Sequence, residues 1–219
     1  MTSTVKAYKG LGMEGGIARW YDRTTRKDIP QIKTLANRIA AFVSPAAEVL
    51  EIAPGPGFLS IELAKRGLQM RAFDISKSFV EIARHNAAAE NAPVQFELGN
   101  ASALSVEDAS VDFVVCRAAF KNFTEPVKAL AEMRRILRRG GTALLIDMRR
   151  DVQMEEIRKY VHELGVSRMS RWFMMFTFRN MLIKRAYSID EIRSMAQKAG
   201  WTNPKIEIEP LGFEAWMKK

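Results

Sequence analysis

VLEIAPGPG, residues 49–57, is the stretch that decides the fold, because an apolar run passes directly into a glycine turn and then into a helical pattern. Glycines in such a turn let the backbone approach a ligand that a Cβ atom would exclude. Asp74 ends the next apolar run, where an acidic side chain suits the two hydroxyls of a ribose. The sequence therefore predicts a strand, a turn and a helix that together bind a nucleoside cofactor.

The spacing of the glycines narrows the choice of cofactor. A dinucleotide-binding fold needs G-x-G-x-x-G, but Ser60 stands where the third glycine would follow Gly55 and Gly57. An acid, Glu51, lies four residues before Gly55, and Ala53 lies halfway between them. Because Ala53 is not glycine, we expect an ordinary negative φ at this position.

Three further motifs follow the turn in order. The triplet Gly99-Asn100-Ala101 comes after a third apolar run, an Asp-Phe-Val-Val stretch begins at Asp112, and a Leu-Arg-Arg-Gly-Gly stretch ends at Gly141. With the glycine turn, these motifs make residues 49–148 resemble the class I S-adenosylmethionine (SAM)-dependent methyltransferases, whose first motif is acid-x-G-x-G-x-G. The chain is most similar to the small-molecule branch that includes the ubiquinone and menaquinone biosynthesis methyltransferases. It departs from the motif at the first glycine position, which holds an alanine.

The resemblance implies contacts with SAM position by position. The backbone of the turn would lie along the methionine part, Asp74 would bond both ribose hydroxyls, and Ile75 would pack on the adenine. Asn100 would accept the exocyclic amine of adenine, since an amide can accept through its oxygen. Glu51 would organise the turn or meet the ammonium of the cofactor, and Arg117 would lie near its carboxylate or near the acceptor. The implied cofactor-binding residues are Glu51, Ala53, Gly55, Gly57, Asp74, Ile75, Asn100, Ala101 and Arg117.

Strands and helices alternate from residue 49 to residue 148, which predicts a parallel sheet with helices on both faces. We expect the α/β class, with a Rossmann-like, doubly wound, mostly parallel sheet of about seven strands and a closing antiparallel strand. The ligand would then bind at the carboxyl ends of the strands. A helix opened by Thr124 and Pro126 is expected to run to Leu137, with Gly140-Gly141 as its stop signal. Ser188 and Glu191 form a capping box that opens a later helix.

Two segments flank this core. Residues 1–28 carry four glycines ahead of an aromatic and charged stretch, which predicts a lid that closes over the site. The alternative is a frayed terminus whose Trp20 packs on the body of the protein. Residues 29–219 would form the methyltransferase domain, with a helical cap insertion at about 151–187.

The segment 168–185 contains five basic residues, no acidic residue and many methionines and aromatics. On a helix these apolar residues surround nearly the whole circumference, so more than one face needs cover. The extra face could line an acceptor pocket, contact a partner subunit, rest on an anionic bilayer or serve only in packing, and the sequence leaves these alternatives open. The predicted acceptor-binding residues are Trp20, Tyr21, Phe120, Trp172, Phe173 and Phe176.

Methyl transfer displaces the sulfonium of SAM, so the protein mainly supplies orientation and the exclusion of water. His85 and His162 are expected to be structural, which argues against a histidine base. The catalytic residue stays unknown, with Lys121, Arg117 and Tyr21 as candidates, and Lys121 either holds an anionic acceptor or is an exposed charge. We expect no metal, because the segments that follow the strands offer only scattered carboxylates.

The amino-acid composition limits which binding partners and which cellular location we expect. The chain has 219 residues, 47% of them hydrophobic, and one cysteine, which excludes an internal disulfide framework. No apolar run is long enough for a membrane span and the N-terminus has no signal-peptide core, so we expect a cytoplasmic protein. The net charge of +9 suits nucleic acid or an anionic membrane, yet no nucleic-acid-binding motif is present.

The sequence thus leads to one principal hypothesis and two alternatives. The principal hypothesis is a SAM-dependent methyltransferase that acts on a small, apolar or anionic acceptor, already nucleophilic or readily deprotonated. The alternatives are an RNA methyltransferase that uses the basic surface, and a non-catalytic SAM-binding module. We expect a small-molecule partner rather than nucleic acid, while peripheral membrane contact and the oligomeric state stay open.

Overall fold

The structure is a computed structural model that describes residues 8–9, 12–163, 165, 167–178 and 182–219, and of these all side chains except Glu163, Ser170 and Phe173. The first part of the predicted lid, residues 179–181 of the segment 168–185 and the predicted acceptor contact of the Phe173 side chain lie outside what is described.

The strands are β1 Glu48–Ile52, β2 Gln69–Asp74, β3 Val94–Leu98, β4 Val111–Arg117, β5 Leu137–Met148, β6 Lys205–Ile208 and β7 Gly212–Lys218. Within the described residues these strands form a single sheet in the order β3-β2-β1-β4-β5-β7-β6. The first five strands run parallel, and β7 pairs antiparallel with both β5 and β6. The predicted α/β sheet with a closing antiparallel strand is therefore confirmed.

The helices are α1 Gly15–Thr25, α2 Ile29–Phe42, α3 Phe58–Ala64, α4 Lys77–Ala89, α5 Pro126–Ile136, α6 Met154–Glu163, α7 Arg168–Thr177, α8 Ile183–Arg185 and α9 Ile189–Lys198. Of these, α3, α4 and α5 connect successive parallel strands. The stretch from α6 to α8 is inserted between β5 and α9, where the sequence predicted a helical cap.

Two apolar layers, one on each face of the sheet, hold the structure together. Side chains alternate along a strand, so Val114 and Cys116 of β4 belong to the layer that contains α5 and α9. Phe113 and Val115 of the same strand belong to the layer that contains α2, α3 and α4. Burial on both faces explains why the central strands read as continuous apolar runs, and it leaves their carboxyl ends free to carry a site.

The end of α5 agrees with the prediction to within one residue, but the glycine pair is not what ends the helix. The helix ends at Ile136, because Leu137 already pairs with Val111 as the first residue of β5. Gly141 instead permits the close approach of two strands, since a Cβ atom there would lie 2.9 Å from the carbonyl oxygen of Asp112. The glycine is therefore required by strand packing and not by a helix end.

The expectation of a negative φ at Ala53 is wrong, because this alanine has a φ of +56°. Its backbone N–H still donates to the carbonyl oxygen of Phe73 at 2.8 Å, while the chain turns away from β1 at the same residue. The turn imposes the left-handed conformation whatever the side chain, and an alanine there costs about 1–2 kcal/mol. The position that the resembled motif fills with glycine thus keeps its backbone geometry here.

The helix starts follow the sequence closely. The Ser76 hydroxyl accepts from the backbone N–H of Phe79 at 3.0 Å and caps α4. The predicted capping box of α9 is complete, with the Ser188 side chain accepting from the Glu191 N–H and the Glu191 carboxylate accepting from the Ser188 N–H. Local hydrogen bonds of this kind need no tertiary context, and they are therefore readable from the sequence.

Gly57 provides a test of the packing behind the turn. It has a φ of +84°, and a Cβ atom would lie 2.7 Å from the Phe96 ring and 2.9 Å from Ala83. Gly67 has the same φ of +84° but nothing within 4 Å of such a Cβ, which makes it a matched control. We predict that Gly67→Ala lowers the free energy of unfolding by about 1 kcal/mol, and Gly57→Ala by about 2 kcal/mol more. Urea denaturation measures both, and equal losses would contradict the prediction.

Candidate active site

A cavity of about 640 Å³ opens at the carboxyl ends of the parallel strands. Residues 53–56 after β1, 74–76 after β2 and 99–101 after β3 line it, together with residues 117–119 and 121–123 at and after the end of β4. The strand order reverses between β1 and β4, and such a reversal leaves a crevice at the edge of an open α/β sheet. The cavity therefore lies where the sequence predicted the ligand.

Asp74 joins the turn to the next helix. One carboxylate oxygen accepts from the backbone N–H of Gly55 at 3.0 Å, and the other accepts from the N–H of Ser76 at 2.8 Å. The side chain is buried, and burial raises its pKa to about 6, although these backbone hydrogen bonds oppose the shift. A carboxylate has about four accepting positions, so Asp74 can still accept from two hydroxyls.

Glu51 is buried directly behind the turn. Its carboxylate accepts from the hydroxyl of Ser60, the residue that stands where a dinucleotide-binding motif would have its third glycine. Burial raises the pKa of Glu51 to about 7, while the Ser60 bond and the positive charge of Arg117 oppose the rise. Glu51 also lines the cavity, so its contact with Ser60 fits a role in organising the turn, and a bond to the ammonium of the cofactor stays a prediction.

The segment before α1 is tied to the N-terminus of α4. The Glu14 carboxylate accepts from the backbone N–H groups of Lys77 and Ser78, each at 3.0 Å. The Ser76 hydroxyl donates to the carbonyl oxygen of Met13 at 2.6 Å. Partial burial opposes ionisation of Glu14, but the bonds from Ser78 and its neighbours outweigh it and lower the pKa. Residues 12–14 therefore form a strap that lines the cavity beside Asp74.

A second anchor holds residues 8–9 at the cavity. The backbone N–H of Lys9 donates to the carbonyl oxygen of Asn122 at 2.7 Å, and its ammonium donates to the hydroxyl of Tyr187 at 2.7 Å. Tyr8 forms a bridge with Phe123 and lines the cavity. Burial raises the pKa of the Tyr8 phenol, and the positive charge of Arg185 opposes this rise.

Lys121 forms a buried ion pair with Asp147. The ammonium lies 2.8 Å from one carboxylate oxygen and 2.7 Å from the carbonyl oxygen of Ala118, and the other carboxylate oxygen accepts from the Lys121 N–H at 2.9 Å. The alternative of an exposed charge is therefore wrong. Two of the three ammonium donors are engaged by the protein, so we interpret Lys121 as a positioning residue that holds the loop after β4 in shape.

The remaining predicted cofactor residues divide between the cavity and the core. Ile75, Asn100 and Ala101 line the cavity. The Asn100 side-chain oxygen already accepts from the backbone N–H of Ser102 at 3.0 Å, which leaves it one further accepting position. Gly57 is not among the lining residues, and a Cβ atom there would meet Phe96 and Ala83, so the close contacts of this glycine concern the packing behind the turn.

The predicted acceptor residues are only partly brought together. Tyr21 lines the cavity and packs edge-on against Phe79, with ring centroids 5.6 Å apart. Trp20 is 58% exposed and Phe120 is fully buried in the core, and neither lines the cavity. We therefore propose no acceptor contact for these two residues.

Two of the predicted contacts of α7, Trp172 and Phe176, also fall outside the cavity. They stack on each other with ring centroids 5.9 Å apart, and they are 69% and 50% exposed. Among the described residues of the segment 168–185, those that line the cavity are Leu182 and Arg185. Sequence reasoning missed both of these, and it missed Tyr8, because only packing distant in sequence brings them to the mouth.

Two further properties concern the chain as far as it is described. Among these residues no group of three or more histidine, cysteine or acidic side chains is arranged to hold a metal ion. None of the described helices is both long enough and apolar enough to cross a membrane.

Known proteins resemble this chain over its central part. Residues 50–145 match a protein family described as a methyltransferase domain. A demethylmenaquinone methyltransferase of Deinococcus radiodurans is 38% identical over 109 residues, which are 49% of this chain and 45% of that protein. A ubiquinone biosynthesis O-methyltransferase of Xanthomonas campestris is 27% identical over 136 residues, 60% of this chain and 57% of that protein. The chain thus spans about half the length of these relatives.

Solved structures agree with the fold. A protein of Methanococcus maripaludis, described as a candidate SAM-dependent methyltransferase, superposes on this chain with a TM-score of 0.77 at 24% sequence identity. The superposition covers 96% of this chain and 95% of that protein. A SAM-dependent methyltransferase of Aquifex aeolicus superposes with a TM-score of 0.65 at 17% identity, covering 87% and 97%. The fold is that of SAM-dependent methyltransferases. The match over residues 50–145 agrees with the class of protein predicted from the sequence.

The Lys121–Asp147 pair predicts a large effect on stability. Lys121→Met would leave the Asp147 carboxylate buried without its cation, so we expect the free energy of unfolding to fall by about 3–5 kcal/mol. Lys128 also pairs with an acid, Glu125, but its side chain is 68% exposed. Lys128→Met is therefore the control, with an expected loss under about 1 kcal/mol. Urea denaturation of both variants tests this, and comparable losses would show that the buried pair contributes no more than an exposed one.

The raised pKa of Glu51, about 7 against an ordinary value of 4.5, predicts a pH dependence of stability. The folded protein holds this proton more tightly than the unfolded chain, so the contribution of Glu51 to the free energy of unfolding falls as the pH rises between these two values. Glu51→Gln removes the titration and keeps an oxygen for Ser60. Between pH 5 and pH 8, the free energy of unfolding of the variant should rise relative to that of the wild type by about 3 kcal/mol. A difference that does not change with pH in urea denaturation would refute the shift.

Proposed function

We propose that this chain transfers the methyl group of SAM to a small-molecule acceptor. The observation that carries the proposal is the buried Asp74 carboxylate, which organises the turn after β1 and lines the cavity with accepting positions to spare. An acidic side chain in this place suits the two hydroxyls of a ribose. The methyltransferase domain assigned to residues 50–145 supports the same reading.

The residues around the turn fit the cofactor. Asp74 would hold the ribose hydroxyls, and Ile75, which is partly exposed in the cavity, would cover the adenine. Asn100 would accept the adenine amine with its remaining oxygen position. Arg117 lines the cavity and, among the described residues, has no acidic oxygen within 4.0 Å, so it would bind the carboxylate of SAM.

The chemistry then divides between cofactor and protein. When bound, SAM supplies a methyl group on a sulfonium, which needs no further activation to be attacked. The chain contributes orientation and the exclusion of water. No histidine is among the residues found to line the cavity, so the acceptor would be already nucleophilic or readily deprotonated. Tyr21, Arg117 and Lys121 all line the cavity and remain candidate catalytic residues, although the ammonium of Lys121 is already paired with Asp147.

The cover of the cavity favours a small acceptor over RNA. The strap of residues 12–14, Tyr8 and Tyr21 line it from one flank, and Leu182 and Arg185 line it from the cap. The relatives named for demethylmenaquinone and for ubiquinone biosynthesis support a small molecule as well. We include the division into a lid at 1–28, a domain at 29–219 and a cap at about 151–187 in this proposal.

Binding of S-adenosylhomocysteine (SAH), the demethylated product, tests the first half of the proposal. We expect SAH to bind the isolated protein, and Asp74→Ala to weaken it by about 1.5–3 kcal/mol, or about tenfold to a hundredfold in affinity. Asp108→Ala removes an exposed carboxylate that does not line the cavity, and it should leave the affinity unchanged. Calorimetry measures all three proteins, and unchanged affinity in a folded Asp74→Ala would defeat the assignment.

Transfer of label from methyl-labelled SAM tests the second half. The acceptor panel contains phenols, aromatic carboxylates, amines and thiols, with total RNA as a separate arm. Label in a small molecule is the expected result. Label in RNA alone would replace the proposal with the RNA alternative. SAH binding with no label in any arm would favour a non-catalytic SAM-binding module.

A further inference from the structure

Two arginines line the cavity and have no acidic partner in the described part of the chain. Arg117 ends β4, and Arg185 ends α8 in the cap. Among the described residues neither side chain has a carboxylate oxygen within 4.0 Å, whereas the third cation of the lining, Lys121, is paired with Asp147. A guanidinium that faces a cavity without a partner is suited to bind an anion, which it can hold with two parallel hydrogen bonds.

The two arginines come from different elements of the fold, the end of β4 and the cap. Cys116 pairs with Ile52, the last residue of β1, so Arg117 lies beside the turn that would hold the methionine part of SAM. Its positive charge opposes the rise in pKa that burial causes at Glu51 and Tyr21. Arg185 acts in the same way on Tyr8. The carboxylate of SAM can use Arg117, and it leaves Arg185 free for another anion.

Tyr8 completes the second anion site. Its neighbour Lys9 is fixed at two points, to the Asn122 carbonyl and to the Tyr187 hydroxyl, so the Tyr8 ring is held at the mouth of the cavity. A phenol hydroxyl donates well to a carboxylate or phosphate oxygen. Arg185 and Tyr8 therefore offer a charged and a neutral donor from two elements that are distant in sequence.

The surroundings of this pair are apolar. Phe123, Met148 and Leu182 line the cavity along with Arg185 and Tyr8. An acceptor that fits them needs a hydrophobic body, and the arginine adds the requirement for one anionic group. Cavities of this kind are mostly apolar with a few placed polar groups that fix the orientation of the ligand.

We propose that Arg185 and Tyr8 bind the oxyanion group, a carboxylate or a phosphate, of a small apolar acceptor, and so select anionic acceptors over neutral ones. This inference rests on the proposed function, because it names the acceptor class of the same site. It also explains why the cap reaches the cavity with Arg185 while its aromatic residues Trp172 and Phe176 do not line it.

The test uses three probes of equal aromatic body: phenylacetate, phenyl phosphate and the neutral phenylacetamide. Calorimetry measures their binding to the full chain saturated with SAH. We expect at least one of the two anions to bind about tenfold more tightly than the amide. The anion that binds more tightly distinguishes a carboxylate acceptor from a phosphate acceptor.

Point variants show which residues are responsible for the preference for anions. Arg185→Gln should weaken the preferred anion about tenfold and change the amide less than twofold, and Tyr8→Phe should weaken the anion about threefold. Arg185→Lys should recover part of the loss, since it keeps the charge but not the fork of donors. Lys184→Gln removes the adjacent charge, which does not line the cavity, and is the matched control with no expected change.

Several outcomes overturn the inference. They are equal binding of amide and anions, no measurable binding of either anion at millimolar concentration, and an anion preference that disappears in Arg117→Gln but persists in Arg185→Gln. The affinity for SAH is measured in the same variants and should not change in Arg185→Gln. If SAH itself fails to bind the wild type, the proposed function fails, and anion binding measured without SAH still decides the inference.

Discussion

The buried carboxylate of Asp74 is the interaction on which the site depends. It accepts from the N–H of Gly55 in the turn after β1 and from the N–H of Ser76 at the start of α4. One side chain thus fixes the relative position of two elements that both face the cavity. Burial removes water from this carboxylate and disfavours its charged form, which raises the pKa of Asp74 to about 6. Hydroxyl donors from a ribose would stabilise the ionised form and offset that cost.

Charge is distributed unevenly around the cavity. Buried acids, Glu51 and Asp74, lie at and behind the turn, and the strap of residues 12–14 closes beside them by way of Glu14. Cations without acidic partners among the described residues lie at the end of β4 and in the cap. This distribution of charge matches a cofactor that carries a ribose and, further along, a carboxylate. It leaves the cation of the cap as an anion site for the acceptor.

The sequence predicted the sheet and most of the cofactor side, because both depend on local patterns. Apolar runs of strand length, glycine turns and caps such as Ser76 act over a few residues and can be read directly. The φ of Ala53 could not be read this way, since the pairing with β2 and not the side chain sets it. The role of Gly57 depends on Phe96, which is far along the chain.

The acceptor side was harder to predict for the same reason. An aromatic residue in a sequence can face a cavity, a core or solvent, and Tyr21, Phe120 and Trp172 do one each. Arg185 and Tyr8 line the same cavity only because the cap and the N-terminal segment fold over the same strand ends, and no spacing in the sequence records that arrangement.

The most direct test of this account is a carbon-detected NMR titration of the Asp74 carboxyl group, with and without SAH. The account predicts a pKa of about 6 in the free protein and a fall of at least about one unit when SAH is bound, because hydroxyl donors favour the charged form. A pKa near the ordinary value of about 4 in the free protein, unchanged by SAH, would contradict it.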